Sequence, residues 1–263
     1  MSPFFSRAIV GFVIAGFIVF IARRKNALSP GGATLAVTMG TICAAAGWGW
    51  AALLITFFIS ANILSTYRHR LRAERINELV EKGNERDAWQ VAANGGVFSL
   101  AAVASLINPS GVWLMIAAGA ITAVTSDTWS TEIGTVVSSP PRLITNGKIV
   151  EAGTSGGITL AGSLAAIAGC ITMAIVTLAA GWGERAAVAA IAGGMTGSIV
   201  DSLAGATIQR KQWCAHCGKL TERLVHTCGT ITQPHGGVSW IGNDLVNTIA
   251  SIAGAIAGLA VLR

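Results

Sequence analysis

The sequence predicts an all-α fold: a polytopic helical bundle that crosses a membrane about seven or eight times and is built from tandem helical hairpins. Three observations carry that expectation. Hydrophobic residues make up 52% of the 263 and charged residues only 11%, and the mean hydropathy is +0.63. Soluble domains carry about 25% charged residues, so this chain could not cover a folded surface in water, and most of its exterior must face lipid. The 32 glycines suit helices that pack closely within a bilayer. Disorder, a coiled coil and a disulfide-rich secreted fold are excluded by the same composition.

The opening segment, MSPFFSRAIVGFVIAGFIVFIARRK, is apolar for too long and lacks a small-residue cleavage site. It reads as a retained first helix and not as a signal peptide. A span needs roughly 20 apolar residues, and candidates lie at 4–22, 32–47, 49–66, 94–108, 111–127, 156–181, 185–206 and 238–261. Together they make one transmembrane domain over 1–263. Three polar stretches separate them: 67–93, 128–155 and 207–237.

Charge orients the bundle. If the polar stretches and Arg23, Arg24 and Lys25 share one side, that side holds 15 of the 18 Lys and Arg residues, leaving Arg7, Arg185 and Arg263 opposite. The positive-inside rule makes the basic side cytoplasmic, which predicts a multi-pass protein of the cytoplasmic membrane with both termini outside. The net charge of +6 then reflects loop placement and implies no nucleic acid. The basic stretch 67–93 reads as an exposed or interfacial helix, with Arg68, Arg70, Arg72 and Arg75 at its start. It serves as a topology determinant touching anionic head groups, or it helps to hold a substrate phosphate.

An internal repeat emerges in this topology. Each span leaving the cytoplasm begins with a glycine pair: Gly31-Gly32, Gly95-Gly96, Gly156-Gly157 and Gly236-Gly237. The returning spans end alike, in SANILST, SDTWST and VDSLAGAT, so that Asn62, Asp127 and Asp201 are equivalent. The alternative is chance in a glycine-rich chain.

The only four aspartates, Asp87, Asp127, Asp201 and Asp244, all fall at cytoplasmic ends of spans. They lie within RDAWQVAANGG (Arg86 to Gly96), SDTWSTEIG (Ser126 to Gly134), GSIVDSLAGATIQ (Gly197 to Gln209) and GNDLVN (Gly242 to Asn247). Ionisable groups at membrane depth are costly and mark functional sites, with helix capping as the structural alternative. Asp127, Glu132, Asp201 and Asp244 are candidate catalytic residues, and Asp127, Asp201 and Asp244 are oxygen ligands of the kind Mg2+ takes. Glycine pairs at helix starts offer bare N–H groups and a positive dipole end to phosphate. Candidate phosphate or nucleotide contacts are therefore Gly95, Gly96, Gly156 and Gly157, with Arg86, Asp87, Asn94, Ser126, Thr128, Gln209, Lys211, Asn243 and Asn247. Carboxylates, basic loop residues and glycines in that combination point to phosphoryl chemistry on a metal nucleotide. A transporter or flippase of a lipid phosphate would use similar features, and a zinc-held scaffold is a third reading.

Three of the five cysteines crowd into CAHCGKLTERLVHTCG (Cys214 to Gly229). Cys214, Cys217, His226 and Cys228 form the donor set of a closed structural zinc site; reduced thiols without metal, or a redox pair, are the alternatives. Cys43 and Cys170 stand alone in apolar runs and read as packing residues.

Taken together, RDAWQVAANGG, SDTWSTEIG, SGGITLAGSLAA (Ser155 to Ala166), GSIVDSLAGATIQ, WIGNDLVN (Trp240 to Asn247) and the Cys/His segment resemble the integral membrane family known as domain of unknown function 92. That family holds transmembrane protein 19 and the phytyl-phosphate kinases, and the resemblance runs from about residue 30 to the C-terminus. It implies a CTP-dependent kinase that converts an isoprenyl monophosphate, such as phytyl or geranylgeranyl phosphate, to its diphosphate at the cytoplasmic face. Asp127, Glu132 and Gly134 also look like the nucleotide-binding element of phytol and dolichol kinases.

Overall fold

The computed structural model describes residues 3–76, 85–136 and 139–262, and for 69–76 the backbone alone. The side chains of Arg70, Arg72 and Arg75 therefore lie outside the described residues. Eight helices form among those described: α1 (Pro3–Arg24), α2 (Pro30–Ala46), α3 (Trp48–Ile76), α4 (Ala88–Ile107), α5 (Gly111–Gly134), α6 (Leu160–Ala179), α7 (Glu184–Thr207) and α8 (Asn243–Ala260). All but α2 and α8 are long and apolar enough to cross a membrane, and α2 is a shorter apolar helix. The chain is a polytopic helical membrane protein. Lipid-facing surface is plain on α1, where Phe5, Phe12, Phe17 and Phe20 are exposed, and on α6 at Leu160, Leu164 and Ile175.

Local chemistry sets the helix starts. Pro30 opens α2, where its missing N–H costs nothing, and the Ser29 hydroxyl accepts from the Gly32 N–H at 3.0 Å. Asp87 caps α4 reciprocally: its Oδ1 accepts from the Gln90 N–H at 2.9 Å, and the Gln90 side chain accepts from the Asp87 N–H at 3.3 Å. That is a capping box. Thr159 caps α6 through the Gly162 N–H at 3.0 Å.

These boundaries correct the sequence reading at several points. Helix α4 begins at Ala88 instead of 94, α5 continues through SDTWSTEIG to Gly134, and α6 and α8 begin at Leu160 and Asn243. Of the four glycine pairs, only Gly31-Gly32 opens a helix. Gly95-Gly96 lies inside α4, and the other two pairs precede their helices at junctions of a turn or bend with a short strand. Of the stretch 67–93, the described residues continue α3 to Ile76 and open α4 at Ala88, while 77–84 lie outside the described residues. Short strands β1 (Arg142–Leu143) and β2 (Gly157–Ile158) pair antiparallel. The Cys/His stretch folds as a three-stranded antiparallel sheet, with β3 (Lys211–Cys214) between β4 (Lys219–Thr221) and β5 (Gln233–Gly236).

Helix α5 is the axis of the bundle, packed against α3, α4, α6, α7 and α8. Small residues allow this. A Cβ on Gly119 would fall 2.2 Å from the Gly254 carbonyl oxygen, and one on Gly193 would fall 2.3 Å from the Gly119 Cα. Thus α5, α7 and α8 meet backbone to backbone, as small-residue faces do in membranes. Overpacking a core costs 1–3 kcal/mol where side chains can shift, and here the clash is with backbone. Gly119→Val is expected to cost about 3 kcal/mol or more, seen as a lowered or lost thermal transition in detergent. Gly16→Val, at a position with nothing within 4 Å of the added Cβ, should leave the transition in place. Equal transitions in the two variants would refute the three-helix contact.

Candidate functional site

The loop-bearing end of the bundle encloses a polar cavity of about 240 Å3. Its wall comes from Ser65 and Arg68 of α3, the C-terminal thirds of α5 and α7, the starts of α4 and α8, and the 141–159 segment that leads into α6. On α5 the residues facing it include Asp127, Ser130, Thr131 and Gly134. Their spacing of three and four places them on one helix face.

Asp127 from α5 and Asp201 from α7 meet in this wall, with their carboxyls in hydrogen-bonding contact. Oδ2 of Asp201 is buried with no hydrogen-bond partner. Two carboxylates so placed require a proton or a cation between them. Glu132, one and a half turns beyond Asp127, is buried and paired with Arg68 of α3, Nε to Oε2 at 2.9 Å. Arg86 stands near both groups. Burial lowers its pKa from the ordinary arginine value; Glu132 opposes that shift and the Arg68 charge adds to it. Arg86 closes no ion pair among the described residues. Gln209 is 2% exposed, lines the cavity and leaves its Nε2 donor without a partner.

Opposite the carboxylates runs the turn Thr154–Gly157. Gly156 has φ +78°, and a Cβ there would fall 2.5 Å from the Ala206 nitrogen of α7, so only glycine allows this wall to close on α7. Asn247 of α8 donates to Asn94 of α4 at 3.1 Å, and both side chains border the cavity with Asn243.

The structure thus brings together Asp127, Glu132, Asp201, Arg86, Asn94, Thr128, Gly156, Gly157, Gln209, Asn243 and Asn247 of the residues expected from sequence. Others stand elsewhere. Ser126 is fully buried and donates to the Ala166 carbonyl at 3.3 Å, one face round from Asp127. Asp87 is the cap of α4. Gly95 packs on Met39, and Gly96 also lies outside the cavity wall. Lys211 reaches back to the Ala206 carbonyl at 2.7 Å and serves the end of α7. Asp244 lies in the first turn of α8, outside the cavity wall. Arg68, expected at lipid head groups or a substrate phosphate, is an ion-pair partner in the wall.

One carboxylate was not anticipated. Glu222, just past β4, lines the cavity, accepts a hydrogen bond from the Ser155 hydroxyl and bears electrostatically on Asp201. It belongs to the Cys/His segment. There Cys214, Cys217, His226 and Cys228 place one donor atom each within 4.8 Å of one another. Sγ of Cys214 and Cys228 are 3.7 Å apart, and His226 Nδ1 lies 3.2 Å from Cys228 Sγ. Bonds of about 2.3 Å to sulfur and 2.0 Å to nitrogen put tetrahedral donors about 3.5–3.8 Å apart. The donor types are those of a structural zinc site, the Cys214–Cys228 separation matches that spacing, and the His226–Cys228 separation falls about 0.3 Å short of it.

Residues 13–255 match the family described as Integral membrane protein DUF92. Protein PGR of Arabidopsis thaliana is 28% identical, over 95% of this chain and 93% of its own length. An uncharacterized membrane protein of Methanocaldococcus jannaschii is also 28% identical, over 96% of this chain and 93% of its own. A third relative, an uncharacterized membrane protein of Synechocystis, is 25% identical over 92% and 86%. No solved structure matches the chain.

Proposed function

The chain belongs to the DUF92 integral membrane family, and from that premise we propose that it is a CTP-dependent kinase of an isoprenyl monophosphate, such as phytyl or geranylgeranyl phosphate. The observation that carries the proposal is the contact between Asp127 and Asp201 in a polar cavity beside Arg86 and Gln209. In this reading the two aspartates hold Mg2+, which would neutralise charge on the nucleotide phosphates. An oxygen of the lipid monophosphate attacks the γ-phosphorus of CTP, the bond to the β-phosphate oxygen breaks, and CDP leaves.

The acceptor is already ionised, so no strong base is needed, and positioning and charge compensation supply the catalysis. Asn94, Asn243, Asn247 and Gln209 orient phosphate oxygens, and Arg86 supplies a cationic donor. The first turn of α8 has no side-chain cap, which suits a phosphate near Asn243. A flippase would need a route through the bundle, but below the cavity α5, α7 and α8 are in backbone contact. The concentration of basic loops at the cavity end supports a cytoplasm-facing site. The test is purified protein in sealed vesicles of known orientation, given labelled CTP with Mg2+ and a panel of prenyl monophosphates. Labelled prenyl diphosphate should form only with CTP on the cytoplasmic face. Lipid movement between leaflets without diphosphate formation would overturn the kinase in favour of a flippase.

A further inference from the structure

A second, apolar cavity of about 80 Å3 lies between α1, α2, α3 and α4. Ile18, Ala36, Met39, Leu54 and Phe58 are among the residues that line it. Two residues, Arg86 and Asn94, line both this cavity and the polar one. The apolar groove therefore ends where the polar site begins. Its depth follows from α2. The Ser29 N–H bonds the Arg86 carbonyl at 3.0 Å, so Arg86 is level with the start of α2. Gly40 also lines the groove, ten residues beyond Pro30, which is about 15 Å at 1.5 Å per residue. That reaches about halfway through a 30 Å hydrocarbon core.

The junction has a definite chemistry. Arg86 is held by its backbone: its N–H bonds the Ala27 carbonyl and its carbonyl accepts from Ser29. Its side chain feels Glu132 and Arg68, which line the polar cavity, yet closes no ion pair among the described residues. A guanidinium with donors to spare at the mouth of an apolar groove suits an anionic head with an apolar tail.

We infer that the groove between α1 and α4 seats the proximal hydrocarbon of a single-chain lipid monophosphate, with the phosphate on Arg86 facing the Asp127–Asp201 pair. The inference rests on the kinase reading and places its acceptor: the polar cavity takes the nucleotide, the groove takes the lipid, and the two meet at Arg86 and Asn94. An enclosed volume of 80 Å3 is too small for a whole prenyl chain, so the distal part lies in the bilayer. Specificity from this groove then concerns the bulk of the first units of the chain and leaves total length open.

The test uses a long-chain alkyl monophosphate with a diazirine near its head-proximal end, and the matching alcohol, photolysed on the full chain in phosphatidylcholine nanodiscs. With the phosphate probe, adducts should concentrate at Ile18, Met39, Leu54 and Phe58. Arg86→Gln should lower them about tenfold, the loss expected for one charge-assisted phosphate contact, and Arg86→Lys should restore much of the yield. Ala36→Phe, which fills the groove and leaves Arg86 intact, should lower them too, and carries the test should Arg86→Gln not fold. Geranylgeranyl monophosphate should compete, and two-chain phosphatidic acid should not. Adducts spread over the lipid-facing sides of α1 and α6, equal labelling by the alcohol, or competition by phosphatidic acid alone would each overturn the assignment. Groove labelling without CTP turnover would keep the lipid site and sink the kinase; turnover with labelling elsewhere would do the reverse.

Discussion

Asp127→Asn and Asp201→Asn are each expected to abolish CTP-dependent turnover while leaving the folded protein as stable as before. Their carboxyls touch in the wall of the polar cavity, and Oδ2 of Asp201 is buried without a partner. Mg2+ is held by charged oxygens, and the charge it compensates on a transferring phosphoryl group is worth several kcal/mol. Removing one of two anionic ligands should therefore lower turnover by roughly a hundredfold or more, since each 1.36 kcal/mol is a factor of ten. Stability should move differently. An amide can donate to the remaining carboxylate, keeping the contact and removing the need for a proton or cation between two like charges. The paired outcome is what distinguishes a ligand site from a structural pair. Turnover above a tenth of wild type in both variants sinks the metal site. Unfolding of both in detergent would make the pair structural instead.

Much of this architecture is legible in the sequence, and the limits are physical. Spans are read from apolar length, and six of the expected eight match helices long enough to cross a membrane. The end that carries the basic loops is read from Lys and Arg placement, and the cavity lies at that end. What sequence cannot supply is which face of a helix a polar residue occupies. Ser126 and Asp127 are neighbours in one motif, but about 100° separates successive residues of a helix, so Ser126 meets α6 and Asp127 meets Asp201. Asp87 could have been set aside from sequence, because Asp87 and Gln90 have the spacing of a capping box. Lys211 could not: its contact with the end of α7 depends on β3 turning back from that helix. Glu222 was hidden for a similar reason. Nothing in the spacing of the Cys/His segment shows that its strands bring a carboxylate within electrostatic reach of Asp201 and into hydrogen-bonding contact with Ser155, 67 residues away. The repeat is legible only in part. Asn62, Asp127 and Asp201 occupy like positions on α3, α5 and α7, but Asn62 donates to its own helix at Phe58 and lies outside the cavity wall.

Purified protein should hold about one zinc per chain, and Cys214→Ser should remove both the zinc and most of the turnover. Cys214 is fully buried at the end of β3, and it shares the donor cluster with Cys217, His226 and Cys228. Two ligands precede Glu222 and two follow it, so an ion closing the cluster also closes the loop that carries Glu222. On the other side Glu222 is fixed by the Ser155 hydroxyl, in the turn that walls the cavity. Releasing the metal frees one end of that connection, and the carboxylate nearest Asp201 from outside the bundle loses its place. Losing the fixed position of such a group costs about 10–100-fold, the usual range for outer ligand-orienting partners. Elemental analysis and the CTP assay on the same preparations decide the matter, with Cys43→Ser, whose sulfur is buried between helices, as the thiol control. Less than about a tenth of a zinc per chain in wild type, against the tight binding of such sites, together with full turnover in Cys214→Ser, would reduce the segment to reduced thiols. Glu222→Gln separates the two roles: zinc should stay near one per chain while turnover falls, because the amide can still bond Ser155 but carries no charge toward the Asp201 site.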